Sequence, residues 1–389
     1  MLYDCCNMRV AIYVTGAKWP AWKDSIVSGH VQIPLKTASL LLQRGYHVTL
    51  ITTTAPMDYR IPPLVPLEGL EVRTVAKATK EWPRRGFDLL KIGRQFADLR
   101  SLLKNERYDI LHFFGANSTA YLLGLLRVTG VRIKSLMTFT NFRRLSNPGL
   151  ITHRLLDYID QFLALCDYSK NLAVRSGLSR VQVTRPGLLK HFQCRGKQLI
   201  RLRPEASDLV LFWRNANEQN GADVCLEAFQ CLSAEFPMVD FVFAVRPHDC
   251  LEEKLRRIAD EISNVHLLLY PYPDGMTISD LICSASCVVM PFRSLTMNPQ
   301  FAVLETLSAG VPLITTSVES NVELIQDGET GYLVRPSSAH EVYTKVRYIL
   351  EHKLEAGNVG RNARHQVEQI WNWKSYIDSI EDVYAQISS

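Results

Sequence analysis

Phe301-Ala-Val-Leu-Glu-Thr-Leu-Ser-Ala-Gly-Val-Pro-Leu-Ile-Thr315 is the most informative stretch of the chain. It reads as a short helix over 301–309, closed by Gly310 and followed at once by a buried strand over 313–316. Glu305 is the lone charge in that helix. Asn321-Val-Glu323 comes next, then the glycine-bracketed turn Asp327-Gly-Glu-Thr-Gly-Tyr-Leu-Val334. A helix N-terminus at a cleft presents free N–H groups and positive dipole charge, which suit a diphosphate. A carboxylate one to two turns further in can accept both hydroxyls of a ribose.

Outward from this stretch, strands and helices alternate. Upstream, strands are predicted over 209–213, 240–245, 265–270 and 287–291, with helices over 222–235, 251–262 and 278–284. The first half runs the same way. Strands fall at 9–15, 47–53, from Val72, and at 109–114, 134–139 and 161–165. A helix over 31–44 ends at Gly45. Alternation of this sort predicts doubly wound parallel sheets with ligands beyond the carboxyl ends of the strands. The pattern breaks near Val181-Gln-Val-Thr-Arg-Pro-Gly187, and the polar stretch after Lys190 suits a crossover. The expected domains are 1–190, a linker at 191–206, and 207–370. A C-terminal helix over 371–389 packs back toward the first domain.

With 389 residues, 47% hydrophobic and 21% charged, the composition is that of a globular protein of two domains. Met1 to Lys190 holds 27 basic and 13 acidic residues, a net of +14. Of the chain's 44 and 39, that leaves 17 and 26, a net of −9. The basic half would attract something anionic, a phosphate-bearing acceptor or an acidic membrane surface, or simply the acidic half. No RNA-binding or helix-turn-helix signature accompanies it, which argues against nucleic acid. Neither a signal peptide nor an apolar run of membrane-spanning length is expected. Nine cysteines lie without CxxC spacing. Cys225, Cys231, Cys283 and Cys287 read as small core residues, so neither a disulfide framework nor a zinc site is expected, and the predicted compartment is reducing and cytoplasmic.

The 301–334 stretch resembles the donor-binding segment of the family-4-like, retaining GT-B glycosyltransferases, and the likeness extends over nearly the whole chain. It implies two Rossmann-like domains facing a cleft, and transfer of a sugar from a nucleotide-diphosphate donor without a metal or other cofactor. Glu305 then takes the place of the glutamate bound to the nucleotide ribose. Ser28-Gly29 matches the loop beneath the donor phosphates, Pro186-Gly187 the crossover turn, and Asp109–His112 the "D-hydrophobic-hydrophobic-His" strand. The Gly360-Arg-Asn-Ala363…Trp373 region is similar to the closing helix.

Three departures stand out. The family's second glutamate falls at Met297, its loop lysine at Asn220, and the active-site histidine that often follows a Thr-Phe strand end gives way to Thr140 and Asn141. Arg214 keeps the family's arginine. A lost cation beside a leaving diphosphate calls for replacement nearby, because each such donor is worth about 3–4 kcal/mol. Phe243-Ala-Val-Arg-Pro-His248 offers Arg246 and His248 at a strand's carboxyl end. The donor set is therefore Gly29, Arg214, Asn220, Arg246, His248, Met297, Asn298 and Glu305, with Arg214, Thr140 and Asn141 nearest the chemistry. Thr140 or Asn141 would hydrogen-bond the transferred sugar. The tripeptide Asp-x-Asp is missing at strand ends, and Asp157/Asp160 read as an exposed helix face.

The acceptor side is less defined. Trp19, Trp22 and His112 are candidates, although a histidine ending an apolar strand often serves structure alone. The acceptor itself, a glycan, a lipid-linked or a small molecule, is not readable. Residues 84–104 form a basic amphipathic pattern with Leu89, Ile92, Phe96, Leu99 and Leu103 on one stripe and Lys91, Arg94, Arg100 and Lys104 around the rest. It suits either an ordinary surface helix or a peripheral contact with an anionic inner membrane face. The competing classes are a GT-B sugar-nucleotide epimerase or phosphorylase and a non-catalytic relative that binds a sugar or a partner. A phosphorylase needs a cofactor lysine, and Lys254, alone between Ser207 and His340, lies on an exposed pattern.

Overall fold

The computed structural model describes residues 8–14, 29–53, 69–75, 89–142, 154–188, 192, 194 and 199–389. Two compact units emerge: Met1–Leu189 together with Asn372–Ser389, and Lys190–Trp371.

The first unit is built on a seven-stranded sheet in the order β3-β2-β1-β4-β5-β6-β7. Its strands are β1 (Arg9–Val14), β2 (His47–Thr52), β3 (Glu71–Thr74), β4 (Ile110–Ala116), β5 (Lys134–Asn141), β6 (Gln161–Ala164) and β7 (Val181–Val183). Every pairing is parallel. β1 buries all but its first residue, as expected of a strand covered on both faces. β7 lies where the alternation was expected to stop, so the first sheet runs one strand further than the pattern suggests.

The second unit carries a six-stranded sheet, β10-β9-β8-β11-β12-β13, again parallel throughout. It comprises β8 (Asp208–Phe212), β9 (Val239–Val245), β10 (Val265–Leu269), β11 (Cys287–Met290), β12 (Leu313–Thr316) and β13 (Tyr332–Val334). The strand order reverses between β8 and β11, and in the first sheet between β1 and β4. Such switch points are where open α/β sheets bind ligands.

The helix Trp373–Ser388 returns to the first unit. Its Tyr376 hydroxyl meets Thr37 Oγ1 at 3.0 Å, and Arg44 bridges Asp378 and Glu381 at 2.6 Å each. Trp373 Nε1 donates to the Leu188 carbonyl at 2.9 Å. Gly187 is obligatory under that ring, because a Cβ there would sit 2.5 Å from Trp373 Cδ1.

The stretch expected as a linker is tied into the second unit: Ile200 N donates to Ser284 Oγ at 2.8 Å, and Cys194 forms a disulfide with Cys283. The disulfide corrects the reading of Cys283 as a core residue, since its partner lies 89 residues away where no local spacing points to it. Cys225 and Cys287 are buried as expected, whereas Cys231 faces outward. Asp157 and Asp160 also differ from expectation. They lie in a turn before β6, and Asp160 accepts from Ser135 N at 2.7 Å and pairs with Arg127 at 3.3 Å.

The basic amphipathic pattern forms the helix Leu89–Asn105. Leu99 and Leu103 are buried and Phe96 packs on the same core, while Arg100 is bonded to the Thr129 carbonyl at 3.0 Å. Arg94 and Lys104 face outward; the side chains of Leu89, Lys91 and Ile92 lie outside the described residues. Among the described residues, no helix is long and apolar enough to cross a membrane.

Candidate functional site

The helix Phe301–Ala309 opens from the loop that leaves β11, at the switch point of the second sheet. Seven of its nine residues are buried, and Glu305 is one of the two half-exposed positions. Trp213, just past β8, anchors the helix by donating from Nε1 to Thr306 Oγ1 at 3.2 Å. Thr306 passes the bond on to the Ala302 carbonyl at 2.9 Å.

Arg214 follows Trp213 and brings a guanidinium into this crowded end of the sheet. Burial lowers its pKa most; the Arg246 charge adds to that and the Glu305 carboxylate opposes it. Arg214, just past β8, is thus within electrostatic reach of both Arg246, just past β9, and Glu305 of the 301–309 helix. Arg214 Nε is buried without a protein partner, a donor left for something else to accept. Arg246, past the end of β9, is exposed and also acts on Tyr272, whose hydroxyl is pushed up to about 12 chiefly by burial.

His248 does not join them. Its backbone is left-handed, φ 67°, its N–H is held by Glu252 Oε2 at 2.6 Å, and its side chain is exposed.

The loop from Arg214 to Gly221 is held from inside. Asn220 N donates to Asn217 Oδ1 at 2.9 Å and Asn220 Nδ2 to the Asn215 carbonyl at 3.0 Å. Asn220 is thus a buried staple of the loop, with Nδ2 bonded within its own turn. Gly221 has φ 76°, and a Cβ there would lie 2.1 Å from the Pro291 carbonyl oxygen. Arg293 braces the same loop from the β11 side. Its guanidinium grips both oxygens of Asp223 at 2.7 Å and the Glu218 carbonyl at 2.5 Å, and its N–H reaches the Gln219 carbonyl at 2.9 Å. Sequence reasoning passed over Arg293, whose partners Asp223 and Glu218 lie 70 and 75 residues upstream.

In the loop 291–300, Met297 is half-buried and Asn298 is buried. Asn298 Nδ2 donates to Glu319 Oε2 at 2.6 Å, Leu295 N donates to Glu319 Oε1 at 3.0 Å, and Asn298 Oδ1 accepts from Ser320 N at 3.1 Å.

Elsewhere, Gly29 is the first residue of the helix Gly29–Gln43 in the first unit. Thr140, buried, and Asn141, half-buried, end β5 at its carboxyl edge. Trp19 and Trp22 lie outside the described residues. His112 is fully buried, with Nδ1 2.8 Å from Tyr384 Oη and Nε2 2.7 Å from Thr138 Oγ1. Burial pushes its pKa down to about 3. A neutral imidazole with both nitrogens engaged is a core post, and His112 leaves the acceptor-side candidates.

Residues 207–352 match the model of the group 1 glycosyl transferases. That stretch is similar to the group 1 glycosyl transferases. Arg214, Arg246 and Glu305 all fall within the matched stretch. Sulfoquinovosyl transferase SQD2 of Arabidopsis thaliana is 28% identical over 111 residues, 28% of this chain and 21% of that protein. The chain spans between about a fifth and a half of the curated relatives it matches, 21% to 47%. Solved structures align over both units. Sucrose-phosphate synthase from Thermosynechococcus elongatus superposes with a TM-score of 0.74 at 14% identity, covering 98% of this chain and 99% of that one. Anabaena Alr3699/HepE in complex with UDP gives 0.72 at 13% identity, over 97% and 100%. The fold is therefore GT-B.

Proposed function

We propose that the protein is a retaining glycosyltransferase that moves a sugar from a nucleotide-diphosphate donor to an acceptor hydroxyl. The observation that carries this reading is that Arg214, with a buried Nε left without a protein partner, lies within electrostatic reach of both Arg246 and Glu305 at the carboxyl ends of β8 and β9. Glu305 accepts the ribose hydroxyls, and Arg214 and Arg246 hold the diphosphate. The helix N-terminus adds oriented N–H groups, so positive side chains and backbone stabilise the departing diphosphate and no metal is required. The donor phosphate receives the acceptor proton as the new glycosidic bond forms, with retention at the anomeric carbon. Thr140 or Asn141, which end β5, would hydrogen-bond the transferred sugar. The nucleotide in the HepE complex supports a nucleotide sugar as donor.

A second reading, a non-catalytic relative, draws on Met297 and Asn220, which supply neither a carboxylate nor a cation. A thermal-shift screen with UDP, GDP, dTDP and ADP separates the two. A nucleotide at a hundredfold excess over its Kd stabilises by about 2.7 kcal/mol. A shift with one nucleotide that vanishes in Glu305→Ala supports the transferase; no shift with any supports the non-catalytic relative.

A further inference from the structure

Glu319 lies in the turn after β12, and its backbone is left-handed, φ 46°, a conformation disfavoured for a residue with a side chain. Both of its carboxylate oxygens reach back into the preceding loop, one to Leu295 N at 3.0 Å and one to Asn298 Nδ2 at 2.6 Å. Asn298 returns the contact by accepting from Ser320 N at 3.1 Å. Three bonds therefore lock the loop leaving β11 to the loop leaving β12. Between them the chain runs through the helix Phe301–Ala309, so the lock fixes how that helix begins. Two buried groups beside it have no protein partner, Gln300 Nε2 at the helix N-cap and Ser320 Oγ. Gln300 is only 5% exposed.

Resting on the donor reading above, we infer that Glu319 is a positioning residue for the diphosphate end of the donor. Glu305 is four residues into its helix, about 6 Å from the first residue at about 1.5 Å per residue. A nucleotide with its ribose on Glu305 thus runs its phosphates toward the N-terminal turn, where the dipole and the free N–H groups lie. Glu319 sets that turn, and Gln300 Nε2 is the donor it holds ready.

The test compares Glu319→Gln and Glu319→Gly with wild type, measuring affinity for UDP against UMP, or for the GDP, dTDP or ADP pair if the screen selects that base. In Glu319→Gln one of the two contacts becomes donor against donor, and flipping the Asn298 amide only moves the loss to Ser320 N. Glu319→Gly removes the clamp and relieves the left-handed backbone, so weakened binding in that variant is not misfolding. Both are expected to lower the preference for diphosphate over monophosphate about 5- to 10-fold, with monophosphate affinity within about twofold of wild type. An unchanged preference, or equal loss of both ligands, overturns the positioning role. Wild type that binds none of the four diphosphates overturns the donor reading itself, and the role of Glu319 with it.

Discussion

The Glu305 carboxylate acts on the Arg214 guanidinium from a different element, opposing the burial that lowers the pKa of that cation. Two charges far apart in sequence thus meet at the end of β8. On the proposed reading, removing Glu305 would cost the ribose its acceptor. A hydrogen bond to a charged group contributes about 1.5–3 kcal/mol, so Glu305→Ala is expected to weaken nucleotide binding about 10- to 100-fold. Titration calorimetry with the nucleotide chosen by the screen measures it.

On the same reading, the two arginines are expected to share the diphosphate unequally. Arg214, half-buried and with a buried, unpartnered Nε, is expected to matter most, and Arg214→Ala should cut turnover about 100-fold or more. Arg246 is exposed, so Arg246→Ala should cost about 10-fold, mainly in donor KM. Steady-state kinetics across donor concentrations decides; unchanged donor affinity and turnover in Arg246→Ala would remove it from the site.

Arg293 holds the loop that carries Arg214. Arg293→Ala breaks its paired hydrogen bonds to Asp223 and its contact with the Glu218 carbonyl. The expected cost is about 1–3 kcal/mol of stability in the second unit. Denaturant melts of wild type and variant read this directly.

His112 makes the first unit sensitive to acid. Its folded pKa is lowered to about 3, while an unfolded histidine titrates near about 6.5. Between those values the unfolded chain binds a proton that the folded one refuses, so stability falls as pH drops, by up to about 1.4 kcal/mol per pH unit. His112→Gln should be less stable than wild type at pH about 7.5. The gap should narrow toward pH about 5, because the variant lacks this titration. Melts across that range test it; a constant gap contradicts the reading.

Much of the fold is legible in periodicity alone. The helices Ala222–Glu235, Ile278–Ser284 and Phe301–Ala309 begin and end where glycine and apolar spacing place them. β7 escapes because three half-buried residues are too few for a pattern. The site is legible where a charge interrupts an apolar helix, as at Glu305, or follows a strand, as at Arg214 and Arg246. Glu319 escapes because its role depends on a left-handed backbone and a partner loop about twenty residues back, 21 from Asn298. Asn220 shows the converse: comparison with a family lysine draws attention to a missing charge, whereas the residue serves the turn it stands in.

The helix Trp373–Ser388 has a consequence for synthesis. Tyr376, Asp378, Glu381 and Tyr384 contribute to a unit whose residues outside Asn372–Ser389 are all made before Lys190. On the ribosome, the half that emerges first is therefore the last to be completed. The second unit, continuous from Lys190 to Trp371, can close on itself while its elder neighbour still waits for the tyrosine that meets His112.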